Sequence, residues 1–284
     1  MRVRLVIPGL LAAAIALAAA DVPSLSIRNL VISEADGGQN VASQYRFRPG
    51  EQVYLAFQIT GFTKKEDEDE RDHIKLEFEI TVSDKAGVYL AKPITGRLDE
   101  ELARQDKDWL PKINRNFSLP DTLVTGDYHI QILVRDLIAE TKTSAGPPLG
   151  VEGPRVKATK TLEIQNFQFF SDEDNLKLLP KAVYKPGDAV HVKFNISGFS
   201  TGIANSYQVG YGLKVLRVDR SQLFAQPKAA TEMDATFYPR AYLVGAFHLN
   251  LDKTIAAGKY FLIVELTDEL TGLKHETERS FEVH

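Results

Sequence analysis

Two acid-rich segments are the first residues in this sequence that could do chemistry, because clustered carboxylates can bind Ca²⁺. One is Lys-Lys-Glu-Asp-Glu-Asp-Glu-Arg-Asp at residues 64–72, and the other is the shorter run at residues 172–175. A calcium loop needs ligands at alternating positions and a glycine that allows a sharp turn, and neither segment has that spacing. We therefore predict solvated loops and no metal site, with calcium binding as the alternative.

The six histidines of the chain fall in no recognisable catalytic motif. The sequence contains no His-Glu-x-x-His zinc motif and no phosphate-binding loop of the Gly-x-x-x-x-Gly-Lys type. Cysteine is absent, which excludes a thiol nucleophile. A serine, a histidine and an aspartate could still meet in space, because triads are defined by geometry and not by sequence order. The prediction is a protein that is not an enzyme and needs no cofactor.

Tyr238 and Tyr242 belong to an aromatic segment that could bind sugars. The segment reads Phe-Tyr-Pro-Arg-Ala-Tyr at residues 237–242, and Trp-Leu-Pro-Lys at residues 109–112 looks like its counterpart. A flat aromatic ring beside a polar group suits stacking on a sugar. Because the motif recurs, packing that closes a β-sandwich is the other interpretation. Tyr238 and Tyr242 are thus candidate glycan-binding residues, and carbohydrate binding is the alternative function.

A segment rich in proline and glycine, residues 145–154, is the main candidate for binding a protein. It belongs to a stretch, residues 137–160, that is answered in the second half of the chain only by the shorter residues 269–279. Loops at the ends of rigid sandwiches often bind partners. Pro147, Pro148 and Leu149 are therefore predicted binding residues. A Pro-Gly insertion without a ligand is the alternative.

These candidates belong to a chain that repeats itself. Residues 47–53, Phe-Arg-Pro-Gly-Glu-Gln-Val, return as residues 184–190, Tyr-Lys-Pro-Gly-Asp-Ala-Val. Proline presets the first central dihedral of a type II turn, and glycine accepts the positive φ that follows. After each turn, apolar and polar residues alternate up to residues 60 and 197, which predicts antiparallel strands with one buried face.

A second shared signature is a tyrosine two residues after a glycine, at Tyr128 and Tyr260, in strands that end at Asp136 and Asp268. The spacing resembles a tyrosine corner, in which the hydroxyl bonds back to the preceding backbone. The two aspartates are either ligands or carboxylates that cap a turn. With these motifs, the halves resemble immunoglobulin-like or fibronectin-like sandwiches, and the Pro-Gly entry resembles macroglobulin-type domains of bacterial secreted proteins. A thioester is impossible without cysteine, so macroglobulin activity is not implied.

The predicted fold class is all-β, with two tandem Greek-key antiparallel β-sandwiches after a cleaved signal peptide. The predicted parts are a signal peptide at residues 1–20, a first sandwich at residues 21–164 and a second at residues 165–284. Residues 161–164 match the last strand of the second half and lead directly into a match of its first strand, with no Gly, Ser or Pro spacer. We therefore expect a stiff pair. Its contact is expected to involve Phe167, Phe169 or Phe170.

The N-terminus indicates secretion. A cationic start at residues 1–4, an apolar stretch to Leu17 and three alanines before Asp21 are typical of a cleaved signal peptide, with a membrane anchor as the alternative. No later segment of the sequence is long and apolar enough to span a bilayer. A secreted sandwich without cysteine suits a bacterial periplasm or exterior.

Charge and repeat together define the predicted function. The chain has 34 basic and 38 acidic residues without a basic cluster, so nucleic acid is not an expected partner. Repeated turn and core residues describe a scaffold, which any of many functions can use. The sequence therefore predicts a non-catalytic binding or structural module of a bacterial envelope that presents end loops to an envelope or extracellular protein, with a glycan as the alternative ligand.

Overall fold

A computed structural model describes residues 24–68, 71–106, 108–171 and 177–284. Within these ranges the regular structure is β apart from two short 3-10 turns, Arg104–Asp106 and Ile203–Asn205. The predicted all-β class is confirmed. The predicted signal peptide and the acidic run at residues 172–175 lie outside the described residues.

The first nine strands form two sheets, and we call this group the first unit. One sheet has the order β1-β2-β6. The other is centred on β4 and β7, with β3 and β5 beside β4 and with β8 and β9 beside β7. The bounds are β1 Ser26–Ser33, β2 Gln52–Thr60, β3 Lys65–Glu66, β4 Asp72–Ser83, β5 Ile94–Leu102, β6 Lys112–Ser118, β7 Gly126–Asp136, β8 Thr141–Ala145 and β9 Pro148–Val151.

The remaining eight strands form the second unit on the same plan. Its sheets have the orders β10-β12-β15 and β11-β17-β16-β13-β14. The short β11 pairs in parallel with β17, and a single parallel bridge between Phe47 and Val151 takes the same place in the first unit. The bounds are β10 Glu163–Phe170, β11 Val183–Tyr184, β12 Ala189–Ser197, β13 Ser206–Leu216, β14 Gln222–Ala235, β15 Leu243–Asn250, β16 Gly258–Asp268 and β17 Lys274–Val283.

Each unit has its own hydrophobic core between its two sheets. The alternation predicted from the sequence is confirmed, since the apolar members of β2 and β12 are buried and the polar members are not fully buried until the end of β12. Burial of each such side chain contributes roughly 1.5–3 kcal/mol. The buried residues of these two strands are Val53, Leu55, Phe57, Ile59, Val190, Val192, Phe194 and Ile196.

The Pro-Gly turns have the conformation that the sequence predicts. Gly50 and Gly187 have φ of +82° and +90°, which a side chain would strain. The acid that follows each glycine closes the turn, because Glu51 accepts the N–H of Arg48 at 2.8 Å and the carboxylate of Asp188 accepts the matching N–H at 2.7 Å. Each turn therefore starts its strand at a defined residue.

Both tyrosine corners are present. The Tyr128 hydroxyl donates to the carbonyl of Val124 at 3.0 Å, and the Tyr260 hydroxyl donates to the carbonyl of Ala256 at 2.7 Å. Both rings are buried, so each hydroxyl needs a partner. The tyrosines connect the start of β7 and of β16 to the preceding loop.

The two strand-end aspartates cap loops, as the simpler of the two interpretations predicted. Asp136 accepts the backbone N–H of Thr63 at 2.6 Å, and Asp268 accepts that of Ser200 at 2.7 Å. Each also accepts the N–H two residues farther along the chain. Burial alone would raise the pKa of both carboxyls, but these hydrogen bonds outweigh it, and both pKa values lie below the ordinary value.

The predicted last strand of the first unit, residues 161–164, is wrong. Glu163 and Ile164 belong to β10 and pair with Ser197 and Ile196 of the second unit. The strand that closes the first unit is instead β8 and β9, which pair in succession with β7. Sequence similarity between two strand ends was misleading because many alternating strands look alike, whereas hydrogen-bond pairing identifies the sheet to which each one belongs.

Candidate binding surfaces

Residues 145–154, predicted as a binding loop, form much of the edge strand of the first unit. Leu149 is a buried core residue opposite Tyr128, and Pro148 pairs with His129. The outer side of β9 is also occupied, because the N–H of Phe47 donates to the carbonyl of Gly150 at 2.9 Å. Proline is tolerated at a sheet edge, where its missing N–H costs no ladder bond. Pro147, Pro148 and Leu149 therefore do not form a free loop that could present itself to a partner.

The two candidate tyrosines of the aromatic segment are partly or fully buried, although Phe237 beside them is 51% exposed. Tyr242 is only 2% exposed, and the Tyr238 ring packs against the core of the first unit. The Tyr238 hydroxyl donates to Asp84 at 3.0 Å, across the boundary between the units. Burial, followed by this hydrogen bond, raises the pKa of the Tyr238 hydroxyl. Neither ring offers a face to a sugar, and both belong to the contact between the units.

We call residues 236–242, between β14 and β15, the latch loop. Besides Tyr238, it contributes Arg240, whose guanidinium lies 3.5 Å from Asp121 of the first unit and 3.9 Å from Asp234 of its own unit. The guanidinium also lies over the ring of Tyr207, 5.6 Å from its centroid. The contact between the units therefore combines buried aromatic rings with charged hydrogen-bonding groups.

The phenylalanines expected at this contact lie elsewhere. Phe167 stacks on Phe194 with ring centroids 5.8 Å apart, and both Phe167 and Phe169 pack against the second core. Phe170 pairs with His191 in the sheet of β10 and β12. The expectation failed because the aromatic residues nearest in sequence to the junction are used to fill the second unit, while the contact is made by a loop about seventy residues farther along.

The latch loop covers one end of the first unit, and the same end of the second unit is open. Leu90, at the covered end, is 3% exposed, and its backbone N–H donates to the carbonyl of Val82. Phe224 takes the matching place opposite Val215 and is 38% exposed. The end of the second unit is a groove with a cavity volume of about 590 Å³. We call this cavity the end groove. Its apolar walls are formed by Leu223, Phe224, Leu249, Leu251 and Ile255.

A polar hollow of about 470 Å³ lies on the outer face of the sheet β1-β2-β6. Its lining includes the small Ala56 together with Tyr54, Gln58, Asn114 and Asn116. Tyr54 pairs with Asn116 across β2 and β6, and Gln58 and Asn114 belong to neighbouring pairs of the same two strands. Alternation in β2 marked this face as solvated, and the neighbouring β1 carries a bulge where the register shifts.

Five of the six histidines lie on five different strands. His73 lies 2.5 Å from Asp99 on the outer face of β4 and β5, and the hydrogen bond from His73 lowers the pKa of Asp99. The rings of His191 and His248 face each other across β12 and β15 at 5.9 Å. Within the described ranges, no three His, Asp or Glu side chains are grouped so that they could hold a metal ion.

Two comparisons with known proteins, a scan against protein-family models and a search of curated proteins, gave no match. In the part of the chain that the structure describes, no helix has the length and apolar character needed to cross a membrane.

Proposed function

We propose that the protein is a secreted, non-catalytic binding module of a bacterial envelope, and that it binds a protein partner through the end groove of the second unit. The observation that carries this proposal is the difference between the two matched ends. A segment of protein fills the end of the first unit, while the end groove leaves aromatic and aliphatic side chains open to solvent. Exposed apolar surface of this kind is typical of an interaction site.

The structural use of the repeated polar groups supports a scaffold role. Asp136 and Asp268 hold loops, and Tyr128 and Tyr260 hold strand starts, so the ionisable groups shared by both units are engaged in the fold. Secretion into a periplasm or exterior rests on the N-terminal sequence and on the absence of cysteine. An immunoglobulin-like affiliation rests on the sheet orders together with the tyrosine corners.

Site-specific photo-crosslinking in the cell envelope tests the protein-binding role. A photoreactive residue replaces Phe224 in the end groove, and the control places it at Lys228, which is exposed on the same strand outside the groove. We expect a discrete protein adduct at position 224 that is absent at position 228. Equal labelling at both positions, or none at either, would refute the proposal.

Glycan binding is the second candidate, now at the polar hollow and not at Tyr238 or Tyr242. Amide and hydroxyl groups around a half-buried tyrosine suit the hydroxyls and the apolar face of a sugar. The test is a glycan array with wild-type protein and Tyr54→Ala, with Tyr89→Ala as the control because Tyr89 is exposed on a loop outside the hollow. Binding that survives Tyr54→Ala would reject this site.

A further inference from the structure

The covered and open ends carry opposite charges at matching positions. Asp84 of the first unit matches Arg217 of the second, because each begins the same turn, with its N–H donating to the carbonyl four residues later. Asp121 matches Lys253, because each lies beside the Pro-Gly turn of its unit. Each also comes one residue after the carbonyl group that accepts the equivalent backbone hydrogen bond in its loop. Two acids at the covered end are thus replaced by two bases at the open end.

The loops that could fill these ends show the same exchange. The latch loop is followed by Leu243, which pairs with Ile196, and the corresponding loop of the first unit is followed by Pro111, whose carbonyl accepts the N–H of Ile59. Counting back from these matched residues, Asp108 takes the position of Arg240. Strand pairing thus gives a different alignment from the one that the sequence favoured, in which residues 109–112 matched residues 237–240.

The loop of the first unit also has exposed apolar side chains. Trp109 and Leu110 are 40% and 39% exposed, although both are large and apolar. At the position that matches Leu110, Tyr242 is 2% exposed because it is buried at the contact between the units, while Trp109 takes the position of Ala241. The chain therefore has an exposed apolar loop, residues 108–110, at one end and an open apolar groove at the other.

We propose that the protein associates head to tail with itself. The Asp108, Trp109 and Leu110 loop of one copy inserts into the end groove of the next, as the latch loop does within one chain. This inference rests on the proposed function and names a second copy as the partner. In the contact, Asp108 meets Lys253, which reverses the pair of Arg240 and Asp121.

The charge pattern favours this occupant over a copy of the latch loop. Arg240 would meet Lys253, which lies between the groove-lining residues Asp252 and Thr254, and like charges in a desolvated contact oppose binding. The one acid within the groove lining, Asp252, accepts the N–H and the hydroxyl of Thr254 at 2.7 and 2.6 Å and so is engaged in its own turn. A contact between two different surfaces does not close on itself in a pair, so it generates chains or rings.

Complementation between two end-blocked variants is the decisive test, on the chain without its predicted signal peptide. Trp109→Ala removes the aromatic side chain of the loop and leaves the end groove intact. Phe224→Asp places a charge in the end groove and leaves the loop intact. Sedimentation velocity of the wild type is expected to show species larger than a dimer as concentration rises. Each variant alone should associate about 30-fold more weakly or worse, as is typical when a central aromatic residue is lost. An equal mixture should form dimers and nothing larger.

Controls separate this result from misfolding and from failure of the proposed function. Circular dichroism must show that both variants are folded, and Val244→Asp, at an exposed site on the outer face of β15, should associate like the wild type. A wild type that remains monomeric, or a mixture that forms no dimer, would overturn self-association. If the adduct at position 224 then contains a different protein, the protein-binding function stands and the second copy is rejected as the partner.

Discussion

Asp268→Asn is the substitution whose effect follows most directly from the structure. The carboxylate of Asp268 is fully buried at the end of β16. One oxygen accepts the N–H of Ser200 at 2.7 Å, and the other accepts the N–H of Leu270 at 3.0 Å. Asparagine has the same shape but only one acceptor oxygen, so its amide NH₂ must face one of these two N–H groups. The variant therefore loses one charged hydrogen bond and leaves a buried donor without a partner.

The expected loss of stability combines these effects. A hydrogen bond to a charged group contributes about 1.5–3 kcal/mol, and a buried donor left without a partner costs about 1–3 kcal/mol. Because the amide keeps the second bond and the Ser200 loop can relax, we expect a loss of about 2–4 kcal/mol in the free energy of unfolding. The matched control is Asp252→Asn, an exposed aspartate that caps a turn in the same unit, for which little change is expected.

Urea unfolding followed by two signals locates the effect. Trp109 is the only tryptophan of the chain and reports on the first unit, while circular dichroism reports on the strands of both. The Asp268→Asn variant should unfold at lower urea by circular dichroism, with a smaller shift of the fluorescence transition. An unchanged midpoint, or a loss no larger than that of the control, would refute the argument that the charged carboxylate holds this loop.

Three further predictions concern pH, packing and the latch. The folded pKa of both buried aspartates lies below the unfolded value near 4. The stability that they contribute is therefore complete above that pH and is lost as pH falls through the folded pKa. A urea midpoint that does not decrease when the pH is lowered from 5 to about 2.5 would contradict this. Gly245→Ala places a methyl group into the ring of Phe194 and should cost about 1–3 kcal/mol in thermal unfolding, whereas Gly146→Ala, which meets only an ordinary contact, should be tolerated. Tyr238→Phe removes the bond to Asp84 and should increase amide exchange in the latch loop without changing exchange in either core; unchanged exchange in the loop would show that this bond does not hold the units together.

Local pattern accounts for the parts of the fold that the sequence predicted. A period of two residues places alternate side chains on one face of a strand, and a Pro-Gly pair starts the strand, so the cores of β2 and β12 were predictable. Tyr128 and Asp136 were also predictable, because each bonds to backbone close to it in sequence or to a loop that the repeat places beside it. Their roles depend on a few neighbouring residues.

The failures share one cause, which is that burial and pairing by distant residues leave little trace in a local pattern. Proline and glycine in residues 145–154 favour a loop, but pairing with β7 makes that segment a strand. Tyr242 looks like an exposed ring until the first unit covers it. The sequence by itself thus determined the strands, their turns and the repeat, because those follow from backbone geometry and side-chain period. Only the tertiary structure decided which end of each unit is covered and which is open, because that depends on where one unit meets the other.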